Sequence, residues 1–275
     1  MAGELLCAIH QPNFFPRLST LAKLFTADVW VVLDDVQFAR RDYQHRCRLA
    51  APGDNDAHQW LTVPIHLPGG RSTLIGDVLI NDPSRARRKV ALLLQQYYRR
   101  SAHWADFIDP LQEVLDAFDI TDRLAEISQT STTRLLSMLG WTGAIRRSSD
   151  LPTRTGRSER LADLTCAAGA TTYLCGTGGA RYLNDAPFTI RGLSTQMFST
   201  PEHRDPRIWM AARHASAISP LMAVGPAALV KELGAHRATV RGLRRPSGSR
   251  SDFREQIQQS DREGRTDVLL LGRWL

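Results

Sequence analysis

Several common signatures are missing from this sequence, and each absence narrows the reading. No apolar run approaches the roughly 18 residues that a membrane helix needs, so neither a spanning segment nor a membrane partner is expected. The first apolar run is short, and Glu4 stands where a signal peptide would carry positive charge, so a cytoplasmic location is expected. The four cysteines (Cys7, Cys47, Cys166 and Cys175) lie far apart without a CxxC pair. That argues against a zinc ribbon and fits free thiols in a reducing compartment. Neither HxxxH nor HExxH spacing occurs, so no metal site is expected. No Walker phosphate loop or dinucleotide fingerprint is present either, and no cofactor is specified. No internal repeat is visible.

What is present is a soluble-type composition, 43% hydrophobic and 23% charged, in 275 residues. That is enough chain for one large α/β domain or two small ones. The stretch from Leu5 to Arg48 organises the rest. Two apolar runs, Leu5–Ile9 and Val29–Leu33, flank an amphipathic helix with Leu18, Leu21, Ala22, Leu24 and Phe25 turned inward. A crossover of this length returns the chain in the same direction, so the pattern predicts a βαβ unit with parallel strands. Parallel strands are covered on both faces, which explains why the runs are continuously apolar.

Each run ends in polar residues: His10, Gln11 and Asn13 after the first, Asp34, Asp35 and Gln37 after the second. These fall at the carboxyl edge of the sheet, where open α/β sheets bind ligands, and are expected to face one cleft. Pro12 and Pro16 bracket a rigid loop and push Gln11 and Phe15 towards extended geometry. Adjacent strand residues point to opposite faces, so one of Asp34 and Asp35 works in the cleft while the other ties down a loop or caps a helix. Together they could hold Mg²⁺ against a phosphate. His10 is either an acid or base at the cleft edge or a loop anchor bonded to Asp34 or Asp35. Arg46 and Arg48 either bind an anionic substrate portion through forked hydrogen bonds or pair with Asp34 or Asp35.

Further along, residues 52–56 read as a turn and Trp60–Ile65 as a third strand that stops near Pro64. Ile75–Ile80 reads as a short strand. Helices are expected from Ser84, as a cap, to about Arg100, then over Trp104–Phe118 and Leu124–Leu139, the last ended by Gly140 and Gly143. Residues 148–158 are polar and suit a linker. A short helix over Arg160–Ala168 leads to a buried strand, Thr171–Cys175, and then Gly176-Thr177-Gly178-Gly179. A strand running into glycines lets bare backbone N–H groups approach an anion. Cys175 can be a nucleophile beside such a turn, with His10, His203 or His214 as its base, or simply a small core residue. Another strand, Thr195–Phe198, and helices over Trp209–Ala217 and Met222–Leu233 complete the pattern. Residues 243–250 are expected to be mobile, and 268–271 can add a strand.

The motifs IHQPNFFP, ADVWVVLDDVQF, HRCR, WLTVP and YLCGTGGARYL, in that order, resemble the WbqC-like family over about residues 5–225. The resemblance implies a mostly parallel α/β domain with flanking helices (Rossmann-like, three layers), residues 1–240, with a helical insertion at about 84–140 and a basic tail from 241 to 275. Family members occur in O-antigen sugar and natural-product gene clusters. That implies a small biosynthetic enzyme, with acyl or aminoacyl transfer to an amine or amino sugar as the reaction. On this reading His10, Cys175, Asp34 and Asp35 are catalytic. Gln11, Asn13, Gln37, Arg46, Arg48, Gly176, Gly178, Gly179 and His203 bind a small-molecule substrate. The family more commonly has serine at the position of Cys175. Arg17-Leu18-Ser19 stands where the family usually has an aromatic residue and glycine, and residues 217–221 lack its frequent aspartate.

The net charge of +7 comes largely from arginine, clustered at Arg85–Lys89, Arg99–Arg100, Arg146–Arg160 and Arg237–Arg250. Such a surface fits either a solvated face or tRNA, the latter implying an aminoacyl-tRNA-dependent transferase. A non-catalytic ligand-binding or scaffolding protein is the remaining alternative.

Overall fold

The structure, a computed structural model, describes residues 4–51, 54–201 and 204–242. Among them, five parallel strands form the central sheet: β1 (Leu6–His10), β2 (Val29–Val32), β7 (Ala144–Arg147), β8 (Thr172–Gly176) and β9 (Ser194–Phe198). Their spatial order is β7-β2-β1-β8-β9. The βαβ unit forms as its pattern predicts, with α1 (Leu18–Thr26) joining β1 to β2 in the register Cys7↔Val29 to His10↔Val32.

Alternate residues of β1 enter two different cores. Leu6 and Ala8 pack with α1 (Leu21, Leu24, Phe25) on one face, and Cys7 and Ile9 pack with Val31, Tyr173 and Cys175 on the other. The first core also takes α2 (Pro83–Tyr98), α3 (Trp104–Ile120) and α4 (Leu124–Met138), the chain between β2 and β7. The second takes α5 (Arg157–Ala167) and α7 (Ala186–Ile190), the connections on either side of β8. The chain thus winds outward from β1 with helices on one face and outward from β8 with helices on the other. This is the doubly wound α/β arrangement, and its switch point lies between β1 and β8.

Several sequence expectations need correction. Trp60–Leu61 belongs to β4 (Asp54–Thr62), which pairs antiparallel with β3 (Arg46–Ala51) outside the central sheet. Cys47 and Leu49 are buried while Arg46 and Arg48 are half-buried, the alternation of a ribbon covered on one side. Ile65–His66 and Leu79–Ile80 form a further small pair, β5 and β6. Edge strand β7 carried no apolar run to announce it. Gly143 belongs to its start rather than to the end of α4: a side chain there would lie 2.5 Å from the Asp28 carbonyl oxygen, which accepts the Ala144 N–H. Asp82, not Ser84, caps α2 by accepting from Arg85 N. Phe15 takes φ 43° rather than an extended conformation, its N–H donating to Ser131 Oγ in the core. Residues 148–158 are no loose linker at their start: Ser148 is buried, in a 3₁₀ turn over Ser148–Asp150.

Beyond α6 (Thr177–Ala180), the helix expected over Trp209–Ala217 shortens to α8 (Pro206–Trp209). The following helix lengthens to α9 (Ile218–Gly242), broken at Gly225 (φ 81°) ahead of Pro226. The tail readings at 243–250 and 268–271 lie outside the described residues.

At the amino edge of the sheet, Asp28 ties three parts of the chain together. Its carboxylate accepts from the Leu6 N–H at 3.0 Å, from Arg237 at 3.1 Å and from Arg241 at 2.5 Å. Asp28→Asn should therefore lower stability by about 1–3 kcal/mol, the worth of hydrogen bonds to a charged group. Urea denaturation tests this, and an unchanged midpoint would make the α9 arginines a merely solvated face.

Candidate functional site

The ladder between β1 and β8 stops early. Only Leu6↔Thr172 and Cys7↔Tyr173 pair, although the strands run on to His10 and Gly176. The strands therefore part at the carboxyl edge, and the gap between their ends stands where a doubly wound sheet has its crevice. His10 stands on its β1 side. Its Nδ1 lies 2.8 Å from the Gln11 carbonyl oxygen, which can only accept. Nδ1 thus carries the proton and Nε2 is left as an acceptor. Burial, then the charge of Lys23, and more weakly that of Arg17, push the imidazole down to about 3, so it is neutral near pH 7.

Cys175 stands on the β8 side, fully buried, its thiol 3.4 Å from the Gly176 carbonyl oxygen. Gly179 must be glycine for α6 to lie here, since a side chain would come within 2.9 Å of Cys175 Sγ. Gly178 and Thr177 are exposed.

Lys23 was not singled out by the sequence reading. It is the only charged residue in α1, and it is 93% buried. Its Nζ donates to the Ile9 carbonyl at 3.4 Å, and Gly176 lies against it, so that a side chain there would be 3.8 Å from Nζ. No carboxylate pairs with it among the described residues. Burial lowers the amine to about 8, while the thiols of Cys175 and Cys7 oppose that shift. In turn, burial pushes the Cys7 thiol up to about 12, against the pull of Lys23. The signal in the sequence was a lone lysine inside an otherwise apolar nine-residue helix.

The remaining predicted residues divide. Asp34 accepts from Ser148 Oγ, Ser149 N and Ser149 Oγ, and so pins the 3₁₀ turn. Asp35 pairs with Arg160 and accepts from Ser148 Oγ. Both carboxylates tie down the loop after β7, and neither hydrogen-bonds to His10. Gln37 is exposed and donates to the Arg71 carbonyl. Gln11 is buried and accepts from Gln44 at 2.5 Å. Asn13 is buried too, and its side-chain oxygen has no partner. Arg46 donates to the Asp42 and Arg41 carbonyls and stacks 4.3 Å over Trp60, with Arg48 at 5.0 Å from the same ring. The two arginines pair with neither Asp34 nor Asp35. His214 lies in the turn after α8, and His203 is outside the described residues.

No group of three or more His, Cys, Asp or Glu is arranged to hold a metal among the described residues, and no helix there is long and apolar enough to cross a membrane. A surface hollow of about 340 Å³, lined by Gly69, Ser72, Asp77 and Arg123, lies apart from the crevice residues. Many arginines are engaged: Arg87 with Asp116 and Asp119, Arg154 and Arg191 with Asp163, Arg204 with Glu232.

Residues 11–230 match the model of the WbqC-like protein family. A relative, "Uncharacterized protein Rv1507c" of Mycobacterium tuberculosis (strain ATCC 25618 / H37Rv), is 26% identical over 216 residues, covering 78% of this chain and 91% of its own. No solved structure matches the chain.

His10 and His45 give the fold a pH dependence. His45, also buried, is lowered to about 4 by burial and by the charges of Arg46 and Arg40. The unfolded chain takes up these protons near 6.5 and the folded chain does not. Their contribution to stability is therefore present above pH 6.5 and lost as pH falls through about 4 and then about 3. Between pH 7 and pH 5 the loss should be about 4 kcal/mol, measured by urea unfolding at the two pH values. His45→Phe should remove part of that slope.

Proposed function

Because the chain belongs to the WbqC-like protein family, we propose that it is a biosynthetic enzyme of a natural-product or surface-polysaccharide pathway, transferring an acyl or aminoacyl group to an amine or amino sugar. The observation that carries this reading is that the Lys23 ammonium lies against Gly176, the neighbour of Cys175, where the strand ladder has ended. A cation beside a thiol favours the thiolate, which is the nucleophilic form. Cys175 Sγ attacks the carbonyl carbon of an activated acyl donor, and the donor's leaving group departs with the bonding electron pair. The acceptor amine then attacks the thioester, an amide forms, and the thiolate is released. His10 Nε2, with Nδ1 held by the Gln11 carbonyl, accepts a hydrogen bond from the attacking amine and orients it, and the proton the amine loses passes to solvent.

A non-catalytic ligand-binding protein is the second reading. The full burial of Cys175 and the engagement of its thiol with its own backbone favour it. The tRNA-dependent form of the transferase draws on the net charge of +7. The many arginine–carboxylate pairs favour a small substrate over it.

Intact-protein mass spectrometry after incubation with a panel of acyl thioesters and aminoacyl adenylates tests the covalent route. The expected result is an adduct on the wild type that maps to Cys175, is discharged by added amine, and is absent from Cys175→Ala. Equal product formation by both proteins without an adduct would remove Cys175 from the chemistry.

A further inference from the structure

The buried ammonium of Lys23 is incompletely satisfied. A lysine has three N–H donors. Among the described residues Lys23 has one acceptor, the Ile9 carbonyl, at a long 3.4 Å. A buried charge without a counter-charge is costly, and proteins normally pair it. The groups that bear on it most are the thiols of Cys175 and Cys7, and no carboxylate is among them. Arg17, at the start of α1, bears on the same imidazole of His10 as Lys23 does. Its guanidinium is only partly used: Nη1 donates to the Arg213 carbonyl at 2.9 Å, the plane lies 4.2 Å from the centre of the Tyr43 ring, and buried Nε has no partner. His10 between them is neutral, so it offsets none of this charge.

The location adds a second, independent constraint. The crevice between β1 and β8 is the switch point of a doubly wound sheet, where such folds take their ligands. Lys23 reaches the stretch of β1 that β8 leaves unpaired, and its amine lies against the backbone of Gly176. An arriving anion would meet two cations whose attraction is weakly screened at such depth.

We propose that Lys23, assisted by Arg17, is the receptor for an anionic group of the substrate, a carboxylate or a phosphate, held in the β1–β8 crevice beside His10. This deepens the reading of the crevice as the substrate site and does not need the covalent step at Cys175. The anion complements the buried charge that the protein itself leaves unpaired. It also takes over the part assigned from sequence to Arg46 and Arg48, which are occupied by backbone carbonyls and by Trp60.

Calorimetric titration of the full chain at constant ionic strength tests this, with inorganic phosphate and pyrophosphate in one arm and acetate and succinate in the other. The expected result is saturable binding in at least one arm, with the tighter arm identifying the substrate's anionic group. Affinity should fall at least tenfold in Lys23→Met and severalfold in Arg17→Gln. It should be unchanged in Lys89→Met, which alters an exposed lysine on α2. Lys23→Met should keep or raise the unfolding midpoint while losing the ligand, because methionine fills similar space without a charge to desolvate; a merely structural lysine would lower it. Binding of equal strength in wild type and Lys23→Met, or no saturable binding of either class by folded wild type, would overturn the proposal. Saturable anion binding by the wild type together with no acyl adduct on it would sink the covalent route alone.

Discussion

Past Cys7 and Tyr173 the ladder between β1 and β8 opens, and backbone groups that would have paired there must find other partners. Much of the carboxyl edge follows from that opening. The Ile9 carbonyl, on the β8 side of the strand, takes a lysine amine from α1, while the His10 carbonyl faces β2 and takes the Leu33 N–H of that ladder. The opening falls where the crossovers change face: α1 joins β1 to β2 on one side of the sheet, and α7 joins β8 to β9 on the other. Chains that wind outward in opposite senses cannot close over the gap between their first strands. A cleft is therefore a property of the topology before any side chain enters it.

The charges of the protein fall into two groups on this frame. Many arginines are spent in pairs that join elements: Asp28 gathers two of them from α9, Asp163 gathers Arg154 and Arg191, and Asp35 holds Arg160. Such exposed or half-exposed pairs add modestly to stability and leave little net field nearby. Lys23 differs in being deep and in lacking a carboxylate. Its charge acts on His10, Cys7 and Cys175 together, which is how one helix residue sets the character of two strand ends. Asp34 and Asp35, which might have balanced it, are instead committed to the turn after β7 and stiffen that side of the edge.

The sequence was most legible where one physical signal dominated. Continuous apolar runs marked β1, β2 and β8 as buried parallel strands, and the polar residues following each run marked the sheet's carboxyl edge. Legibility failed where an element leans on distant partners. β7 is four residues, two of them arginine, and is a strand because Val29–Val32 offers it a ladder. β3 alternates only because β4 folds back on it. At the candidate site, His10 and Cys175 could be placed at strand ends by eye. The fates of Asp34, Asp35, Arg46 and Arg48 could not, because each is bound by a turn, a carbonyl or a ring supplied by other elements.

By itself, then, the sequence determined the α/β class, the βαβ start and the edge at which the polar residues gather. These depend on local hydrophobic pattern and on the length of a crossover, both of which are written in consecutive residues. Only the tertiary structure decided where β1 and β8 part, and that Lys23 is driven into the gap. An amphipathic reading turns the lysine of a short helix towards water. Here α1 is enclosed on nearly every side, eight of its nine residues being buried, so the amine's course is set by the sheet, α4 and α9 around it.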